Sequence, residues 1–123
     1  MKNRIAWPAF LGTALILLLF CMFSATMAAD PEEQVIRMTA RKFEYSPSRI
    51  TLKKGIPAIM EITALDRVHG FSCPELEIRA DLLPGKVARI QFTPQKTGTF
   101  AFHCDIFCGD GHEEMSGTIT IRE

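Results

Sequence analysis

Side chains that could bind a soft metal are concentrated in one short segment near the C-terminus. From Cys104 to Met115 the sequence reads CDIFCGDGHEEM, so two thiols, an imidazole and a thioether follow the pattern C-x3-C-x3-H-x2-M. Thiolate and thioether sulfurs are soft ligands that select copper, and imidazole binds copper as well. Gly109 and Gly111 allow the tight backbone path that would bring these side chains to one point. The segment therefore predicts a copper site.

Other chemistries fit this segment less well. Structural zinc usually takes four Cys or His ligands and does not use Met. An iron–sulfur cluster ordinarily needs four Cys, whereas three follow residue 30, and the haem-attachment pattern C-x-x-C-H does not occur in the sequence. A plain Cys104–Cys108 disulfide is the remaining alternative, because exported cysteines usually oxidise. The nearby His112 and Met115 favour the metal over the disulfide.

The elements that would position this segment are predicted β-strands. Apolar and polar residues alternate in short runs separated by turn signals such as Lys54-Gly55, Pro84-Gly85 and Thr97-Gly98. No stretch after residue 34 has a sustained helical period. This pattern predicts a β-sandwich or barrel in which strands flank the Cys-rich segment on both sides. The runs that predict strands cover residues 35–40, 43–47, 49–53, 58–64, 87–92, 99–104 and 118–121.

Residues 1–29 are predicted to export the rest of the chain. Lys2 and Arg4 precede an uncharged run over residues 5–29 that ends in small residues, which matches a secretory signal cleaved after Ala28. The run is also long enough to span a bilayer as a retained anchor with its basic end in the cytoplasm. Both alternatives place a linker over residues 30–34 and a domain over residues 35–123 outside the cytoplasm. We expect a periplasmic or other extracytoplasmic protein, soluble or tethered to the membrane.

Composition excludes one class of partner. The chain has 123 residues, of which 47% are hydrophobic, enough for the core of one small domain. Its 14 Lys and Arg residues balance its 14 Asp and Glu residues, so there is no excess of positive charge to attract nucleic acid.

Four segments, taken together and in order, resemble a known family. They are similar to the soluble domain of cytochrome c oxidase subunit II, in its short form with a single N-terminal anchor. The likeness runs from about Arg37 to the C-terminus. It implies a cupredoxin-like Greek-key β-sandwich or barrel, preceded by an N-terminal signal or anchor helix. The segments are VHGF at 68–71, PEL at 74–76, LPGKV at 83–87 and the segment 104–115.

The same resemblance implies a dinuclear CuA centre that holds two copper ions. Cys104 and Cys108 would bridge both coppers. The remaining implied ligands are His69 and Met115 on one copper, and His112 with the backbone carbonyl of Ile106 on the other. Larger oxidases often have a Glu at the Ile106 position that helps to bind magnesium, and we expect no magnesium site here.

The resemblance implies electron transfer from a cytochrome c-type donor to a terminal oxidase or a similar acceptor. The chain would have no active site of its own, and any oxygen reduction would occur in a partner oxidase core subunit. Two alternatives stay open. One is a periplasmic copper carrier that delivers copper for oxidase assembly, and the other is an electron carrier with a single copper held by Cys, His and Met.

Further residues near the segment have competing interpretations. Strand alternation predicts that His103 points away from the side that Cys104 faces. Cys73 is predicted to be a small buried hydrophobe, with a reactive or metal-delivery thiol as the alternative. The acidic residues of the segment are either ordinary solvated charges or a negative face that steers a basic cytochrome c. These acids are Asp105, Asp110, Glu113 and Glu114.

Overall fold

The computed structural model describes residues 32–123, so the predictions for residues 1–29 lie outside the described residues. In the described part, two short 3-10 turns, Pro74–Leu76 and His112–Glu114, are the whole helical content. The all-β prediction is therefore confirmed for this part. Its strands are β1 (Gln34–Arg41), β2 (Glu44–Ser46), β3 (Arg49–Lys53), β4 (Ala58–Ala64), β5 (His69–Cys73), β6 (Ile78–Leu82), β7 (Val87–Phe92), β8 (Gly98–His103) and β9 (Ser116–Arg122).

The strands form two sheets that pack face to face. One sheet has the order β2-β1-β4-β7, and the other has the order β3-β9-β8-β5-β6. β1 runs parallel to β4 and β3 runs parallel to β9, whereas the other pairs are antiparallel. The chain therefore crosses repeatedly between the sheets instead of forming a simple meander.

Alternating hydrophobicity sets which face of each predicted strand is buried. In β4, the side chains of Ala58, Met60, Ile62 and Ala64 are buried, while Glu61 and Thr63 stay partly exposed. β3 shows the same period of two, with buried Ile50 and Leu52. Burying one face of each strand removes apolar surface from water, which is the main favourable contribution to folding.

The sequence pattern did not predict β5 and β6 as strands. β5 is buried at four of its five positions, so it lacks the alternation that marks a half-exposed strand. The cause is its place between β8 and β6, where the segment that follows Cys104 covers its outer face at Gly70. A strand that is covered on both faces lacks a polar face, so its sequence does not alternate between apolar and polar residues.

An aromatic cluster fills the core beneath the Cys-rich segment. The rings of Tyr45, Phe71 and Phe102 are buried, with centroids 4.8 to 6.0 Å apart. Met38 and Met60, predicted to be core residues, are buried as well. These aromatic rings pack closely and support the Cys-rich segment from below.

Residues 104–115 form the ligand loop, which joins two neighbouring antiparallel strands at one end of the sandwich. His103 at the end of β8 pairs with Ser116 at the start of β9. The N–H of Cys104 then donates to the carbonyl of Met115 at 3.1 Å, so the ladder closes the base of the loop. Among residues 32–123, no helix is long and apolar enough to cross a membrane.

Candidate metal centre

Cys108 lies at the centre of a cluster of donor atoms. Its Sγ lies 3.7 Å from Cys104 Sγ, 3.6 Å from His112 Nδ1 and 3.9 Å from Met115 Sδ. Both cysteines and Met115 are buried, and His112 is half-buried. The structure thus brings together the four side-chain donors that the ligand loop was predicted to supply.

The other two predicted ligands lie beside Cys104. The thiol of Cys104 contacts the carbonyl oxygen of Ile106 at 3.1 Å. Donor atoms of His69, Cys104 and Cys108 all lie within 4.8 Å of one another, although His69 comes from the start of β5. All six residues that the sequence singled out therefore meet at one end of the sandwich.

Asp66 determines which nitrogen of His69 faces the sulfurs. Its Oδ1 lies 2.7 Å from His69 Nε2, and because a carboxylate only accepts, this nitrogen carries the proton. His69 Nδ1 keeps a free lone pair, is fully buried, and has no hydrogen-bond partner among residues 32–123. A buried polar atom without a partner is costly. A metal ion at Nδ1 would satisfy it, so the donor set fits copper.

Asp66 stays ionised over the physiological pH range. Desolvation opposes its charge, but hydrogen bonds from the backbone N–H of Lys42 and from the His69 imidazole outweigh it and lower the pKa of Asp66 to about 2. The carboxylate therefore accepts the hydrogen bond of His69 Nε2 throughout the physiological pH range.

The environment of Cys108 favours its protonated form. Desolvation raises the pKa of the Cys108 thiol to about 11, neighbouring Cys104 adds to the rise, and the positive charge of Arg67 opposes it. A cysteine must lose its proton before it ligates a metal. Metal binding here would therefore release protons and strengthen as pH rises.

Tyr45 supports the strand that carries His69. Its hydroxyl donates to the backbone carbonyl of Gly70 at 2.6 Å. Burial raises the pKa of Tyr45, and the nearby Cys104 and Cys108 thiols raise it further, so the phenol stays neutral and keeps its proton for this bond. The N–H of Gly70 in turn donates to Cys104 Sγ at 3.3 Å, which ties β5 to the ligand loop.

The ligand loop wraps around the ring of Phe43. Gly109 has a φ of +137°, and a Cβ there would lie 3.0 Å from the Phe43 ring. At Gly111 a Cβ would overlap that ring. The prediction that these two glycines allow a tight backbone path is confirmed, and the Phe43 ring supplies the reason.

His103 and Cys73 both lie apart from the donor cluster. His103 is exposed while Phe102 and Cys104 on either side are buried, as strand alternation predicted. Cys73 is fully buried in the apolar core, where desolvation raises the pKa of its thiol. A buried, protonated thiol is unreactive, which confirms the interpretation of Cys73 as a small hydrophobe.

Asp105 is paired with Arg79, a contact that the sequence did not indicate. It was grouped with the solvated or partner-facing acids, but its carboxylate accepts two hydrogen bonds from Arg79, at 2.5 and 3.2 Å. Its charge is thus paired and its side chain is 24% exposed. Asp110, Glu113 and Glu114 are exposed and take part in none of the ion pairs found among residues 32–123, so these three supply the unpaired negative charge of the loop.

Sequence reasoning missed the residues that hold the ligands. Asp66 stands three positions before His69, and this spacing was the one available signal, since a carboxylate near a candidate ligand histidine often orients it. Nothing in the local pattern marks the others, because their partners lie 26 to 41 residues away or are reached through packing. These residues are Phe43, Arg67 and Arg79.

Comparison with known proteins agrees with this geometry. A family model described as a cupredoxin-like domain matches residues 14–121. Cytochrome c oxidase subunit 2 of Thermus thermophilus is 31% identical over 99 residues, which cover 80% of this chain and 73% of that protein.

Two solved structures share the fold. The periplasmic domain of subunit II of cytochrome oxidase from Bradyrhizobium japonicum aligns with a TM-score of 0.68 at 19% identity, covering 79% of this chain and 88% of that one. The metal-binding domain of the Cu(I)-exporting P-type ATPase of Streptococcus pneumoniae aligns with a TM-score of 0.61 at 29% identity, covering 78% and 92%. The predicted cupredoxin-like fold is confirmed. The chain belongs to the cupredoxin-like family and, within it, to the family of cytochrome c oxidase subunit 2.

Proposed function

We propose that this protein carries electrons through a dinuclear CuA centre, from a cytochrome c-type donor to a terminal oxidase or a similar acceptor. Membership of the family implies copper. One observation carries the proposal of two coppers. The sulfurs of Cys104 and Cys108 lie 3.7 Å apart in a buried cluster with imidazole, thioether and carbonyl donors around them. Two thiolates so close together can be shared by two metals.

The proposed ligands divide between the two coppers. Cys104 and Cys108 would be shared by both, His69 and Met115 would bind one, and His112 with the carbonyl of Ile106 would bind the other. When bound, the copper pair supplies a one-electron carrier whose charge is spread over two metals. Ile106 contributes no side-chain carboxylate, so magnesium has no part in this proposal.

The protein's own residues suit such a carrier because they hold the donors in place. Asp66 holds His69, the Cys104–Met115 backbone hydrogen bond closes the loop, and the Phe43 ring fills its interior. Donors in a closely packed shell move little when the charge between them changes. Small movement lowers the rearrangement that each electron transfer requires.

The outer surface of the ligand loop suits a docking partner with an apolar centre and a basic rim. Phe107, between the two cysteines, is 77% exposed, and its ring centroid lies 5.8 Å from that of His112. The three exposed acids of the loop, Asp110, Glu113 and Glu114, supply negative charge close by. We therefore propose that a basic cytochrome c-type donor docks here.

The acceptor and the location follow from the same proposal. Oxygen reduction would take place in an oxidase core subunit, to which this chain passes electrons. The domain would lie in the periplasm or an equivalent compartment, with residues 1–29 acting as a signal or an anchor. The Bradyrhizobium structure that shares this fold is a periplasmic domain, and this supports the proposed location by analogy.

A copper carrier is the second candidate function. The 29% identical metal-binding domain belongs to a Cu(I)-exporting ATPase, and two thiols beside a thioether are ligands that Cu(I) prefers. A Cu(I) carrier would be colourless and paramagnetically silent. A single-copper electron carrier would be blue with a four-line signal.

Copper stoichiometry and spectroscopy test the proposal directly. We expect the purified protein to bind two coppers per chain and to show the purple colour and seven-line paramagnetic signal of CuA. Cys108→Ser should abolish that signal, because the thiolate bridges both metals. Cys73→Ser is the matched control, since it removes another buried thiol outside the cluster, and should keep it. A Cys108→Ser protein with two coppers and an unchanged spectrum would contradict the CuA assignment.

Electron-exchange kinetics test the docking surface. We expect the rate with a basic cytochrome to fall as salt rises, because the Debye length is about 10 Å at 0.1 M. Glu113→Lys with Glu114→Lys should reproduce that slowing at low salt, and Phe107→Ala should slow exchange at every salt concentration. Val35→Ser is the control, because Val35 is 44% exposed near the opposite end of β1. Rates unaffected by salt and by all these loop substitutions would rule out docking here.

A further inference from the structure

Two arginines from outside the ligand loop bind it, one beside each cysteine. Arg67, which precedes β5, donates from Nη1 to the carbonyl oxygen of Cys108 at 2.9 Å. Arg79 on β6 donates from Nε and Nη2 to the two carboxylate oxygens of Asp105, at 2.5 and 3.2 Å. Asp105 directly follows Cys104. Arg67 therefore contacts the backbone of one proposed ligand, and Arg79 contacts the side chain of the residue that follows the other.

The Arg79 contact is well suited to setting a position. Arg79 is itself held by Asp81 of the same strand, with Nη1 2.7 Å from Oδ1. The Asp105 carboxylate lies directly on Gly70 of β5, where an added Cβ would overlap Oδ1. A two-pronged guanidinium–carboxylate pair constrains both distance and direction. Asp105 is thereby pressed between β5 and the side chain of Arg79.

Arg67 differs from Arg79 because its hydrogen-bond partner is uncharged. Nη1 lies 3.5 Å from the place a Cβ of Gly109 would occupy, beside the Phe43 ring, so the guanidinium packs on the loop as well as donating to it. The ion pairs found among residues 32–123 do not include Arg67. Its hydrogen-bond partner is a neutral carbonyl, so no ion pair among residues 32–123 neutralises its guanidinium.

We propose that Arg67 and Arg79 form a clamp that positions the ligand loop, and that Arg67 also raises the reduction potential of the centre. A positive charge near a metal centre favours the reduced form, which carries one positive charge less. Arg79 has no such net effect because Asp105 and Asp81 offset it. The effect on the reduction potential rests on the proposed electron-transfer function, whereas the clamp concerns the copper-free protein alone.

Hydrogen exchange in the copper-free full chain tests the positioning role. The amides of His112, Glu114 and Met115 donate to carbonyls within the loop, so they report its local opening. We expect Arg67→Gln and Asp105→Asn each to raise their exchange rates at least about threefold. Asp110→Asn is the control for Asp105, since it removes an exposed charge of the same loop. Arg89→Gln is the control for Arg67, since Arg89 is exposed on β7 of the other sheet.

Redox titration of the copper-loaded protein tests the charge role. Arg67→Gln removes the charge and shortens the side chain, whereas Arg67→Lys keeps the charge on a long side chain. We expect Arg67→Gln to shift the redox equilibrium about threefold toward the oxidised form, a fall of about 28 mV for one electron. Arg67→Lys should restore the potential, and Arg89→Gln should leave it unchanged.

The outcomes separate the two halves of the proposal. Exchange rates no higher in Arg67→Gln and Asp105→Asn than in their controls would overturn the clamp. Equal potentials in Arg67→Gln, Arg67→Lys and the wild type would overturn the charge role. A wild-type protein that takes up no copper would defeat the proposed function, while the exchange comparison would still decide the clamp. If Arg67→Gln does not fold, Asp105→Asn and its control Asp110→Asn supply the exchange test.

Discussion

Strand β5 carries a buried nitrogen donor at its start and a buried sulfur donor at its end, and the two have different surroundings. His69 and Cys73 are both fully buried on the inward face, four residues apart. His69 has Asp66 on one nitrogen and two thiols near the other. Cys73 belongs to the apolar core, outside the donor cluster.

The comparison shows that neither burial nor donor chemistry identifies a metal ligand. Both residue types bind copper, and both are inaccessible to water here. The difference is that the ligand loop leaves β8 at His103, beside Ser72, and then passes Gly70, whose N–H donates to Cys104 Sγ, so the loop brings its thiols next to His69. His69 is therefore assigned as a metal ligand because donor atoms from the ligand loop lie close to it, whereas no such donors of residues 32–123 lie close to Cys73.

Replacing His69 or Cys73 by alanine should give the largest difference in copper binding. We expect His69→Ala to lose the seven-line two-copper signal, because the Nδ1 donor disappears and no other buried imidazole of residues 32–123 can replace it. Cys73→Ala should keep both coppers and the spectrum. Equal copper content and equal spectra in the two variants would contradict the assignment of His69 as a ligand.

Removing the carboxylate that orients His69 should have the next largest effect. We expect Asp66→Ala to lower copper affinity about 10- to 100-fold, as is usual when the partner of a ligating histidine is lost. Competition titration with a chelator measures this change. Asp110→Ala, which removes an exposed carboxylate of the ligand loop, should change the affinity far less. Similar losses in both would indicate a general effect of charge.

The same carboxylate has an expected signature in the pH dependence of stability. The folded-state pKa of Asp66, about 2, lies below its ordinary value of 3.8. Its stabilising contribution is therefore complete above about pH 4 and is lost as pH falls toward 2. Denaturant unfolding should show the wild type more stable than Asp66→Asn near neutral pH, with the difference narrowing between pH 4 and 2. A difference that is constant over that range would contradict the assigned pKa.

Tyr45 offers a smaller test of how β5 is supported near His69. Tyr45→Phe removes the hydroxyl that bonds the Gly70 carbonyl and leaves a buried acceptor without this donor. We expect a loss of about 1–2 kcal/mol in the free energy of unfolding, measured with denaturant. Thr99→Val is the control, because the Thr99–Thr120 hydroxyl contact is exposed, and it should cost less than about 0.5 kcal/mol. A cost for Tyr45→Phe no larger than the control would show that the bond contributes nothing.

The smallest expected effect is at Cys73 itself. Cys73→Ala removes one buried sulfur and leaves a small cavity, for which we expect about 1 kcal/mol of lost stability. The reduction potential and the copper spectrum should not change, since the thiol lies outside the donor cluster. A shifted potential would give Cys73 a role that its surroundings do not indicate.

Much of the fold was predictable because the strands with one exposed face carry their own pattern. β4, with Met60 and Ile62 inward and Glu61 and Thr63 outward, is the clearest example. β5 escaped prediction because it is covered on both faces, whereas β6 alternates apolar and charged residues over Ile78–Leu82 and was missed although its pattern was present. The alternation of apolar and polar residues appears where one face of a strand meets solvent, and it is absent where solvent is excluded from both faces.

The ligand residues were predictable for a different reason. Cys104, Cys108, His112 and Met115 lie within twelve positions, so their spacing alone brought them together. His69 came from the family resemblance and not from its own surroundings in the sequence. The pairing of Asp105 with Arg79 could not be predicted, because Arg79 lies 26 positions earlier in the sequence.

The amino-acid sequence by itself determined the donor set, the two glycines of the ligand loop and the alternation that builds the sheets. These are local properties, set by residue type and by spacing along the chain. Only the tertiary structure decided that Asp66 orients His69, that the Phe43 ring fills the loop and that Arg67 and Arg79 hold it from outside. Such contacts depend on which strand ends meet at one edge of the sandwich, and that meeting is fixed by packing of the two sheets over a common core.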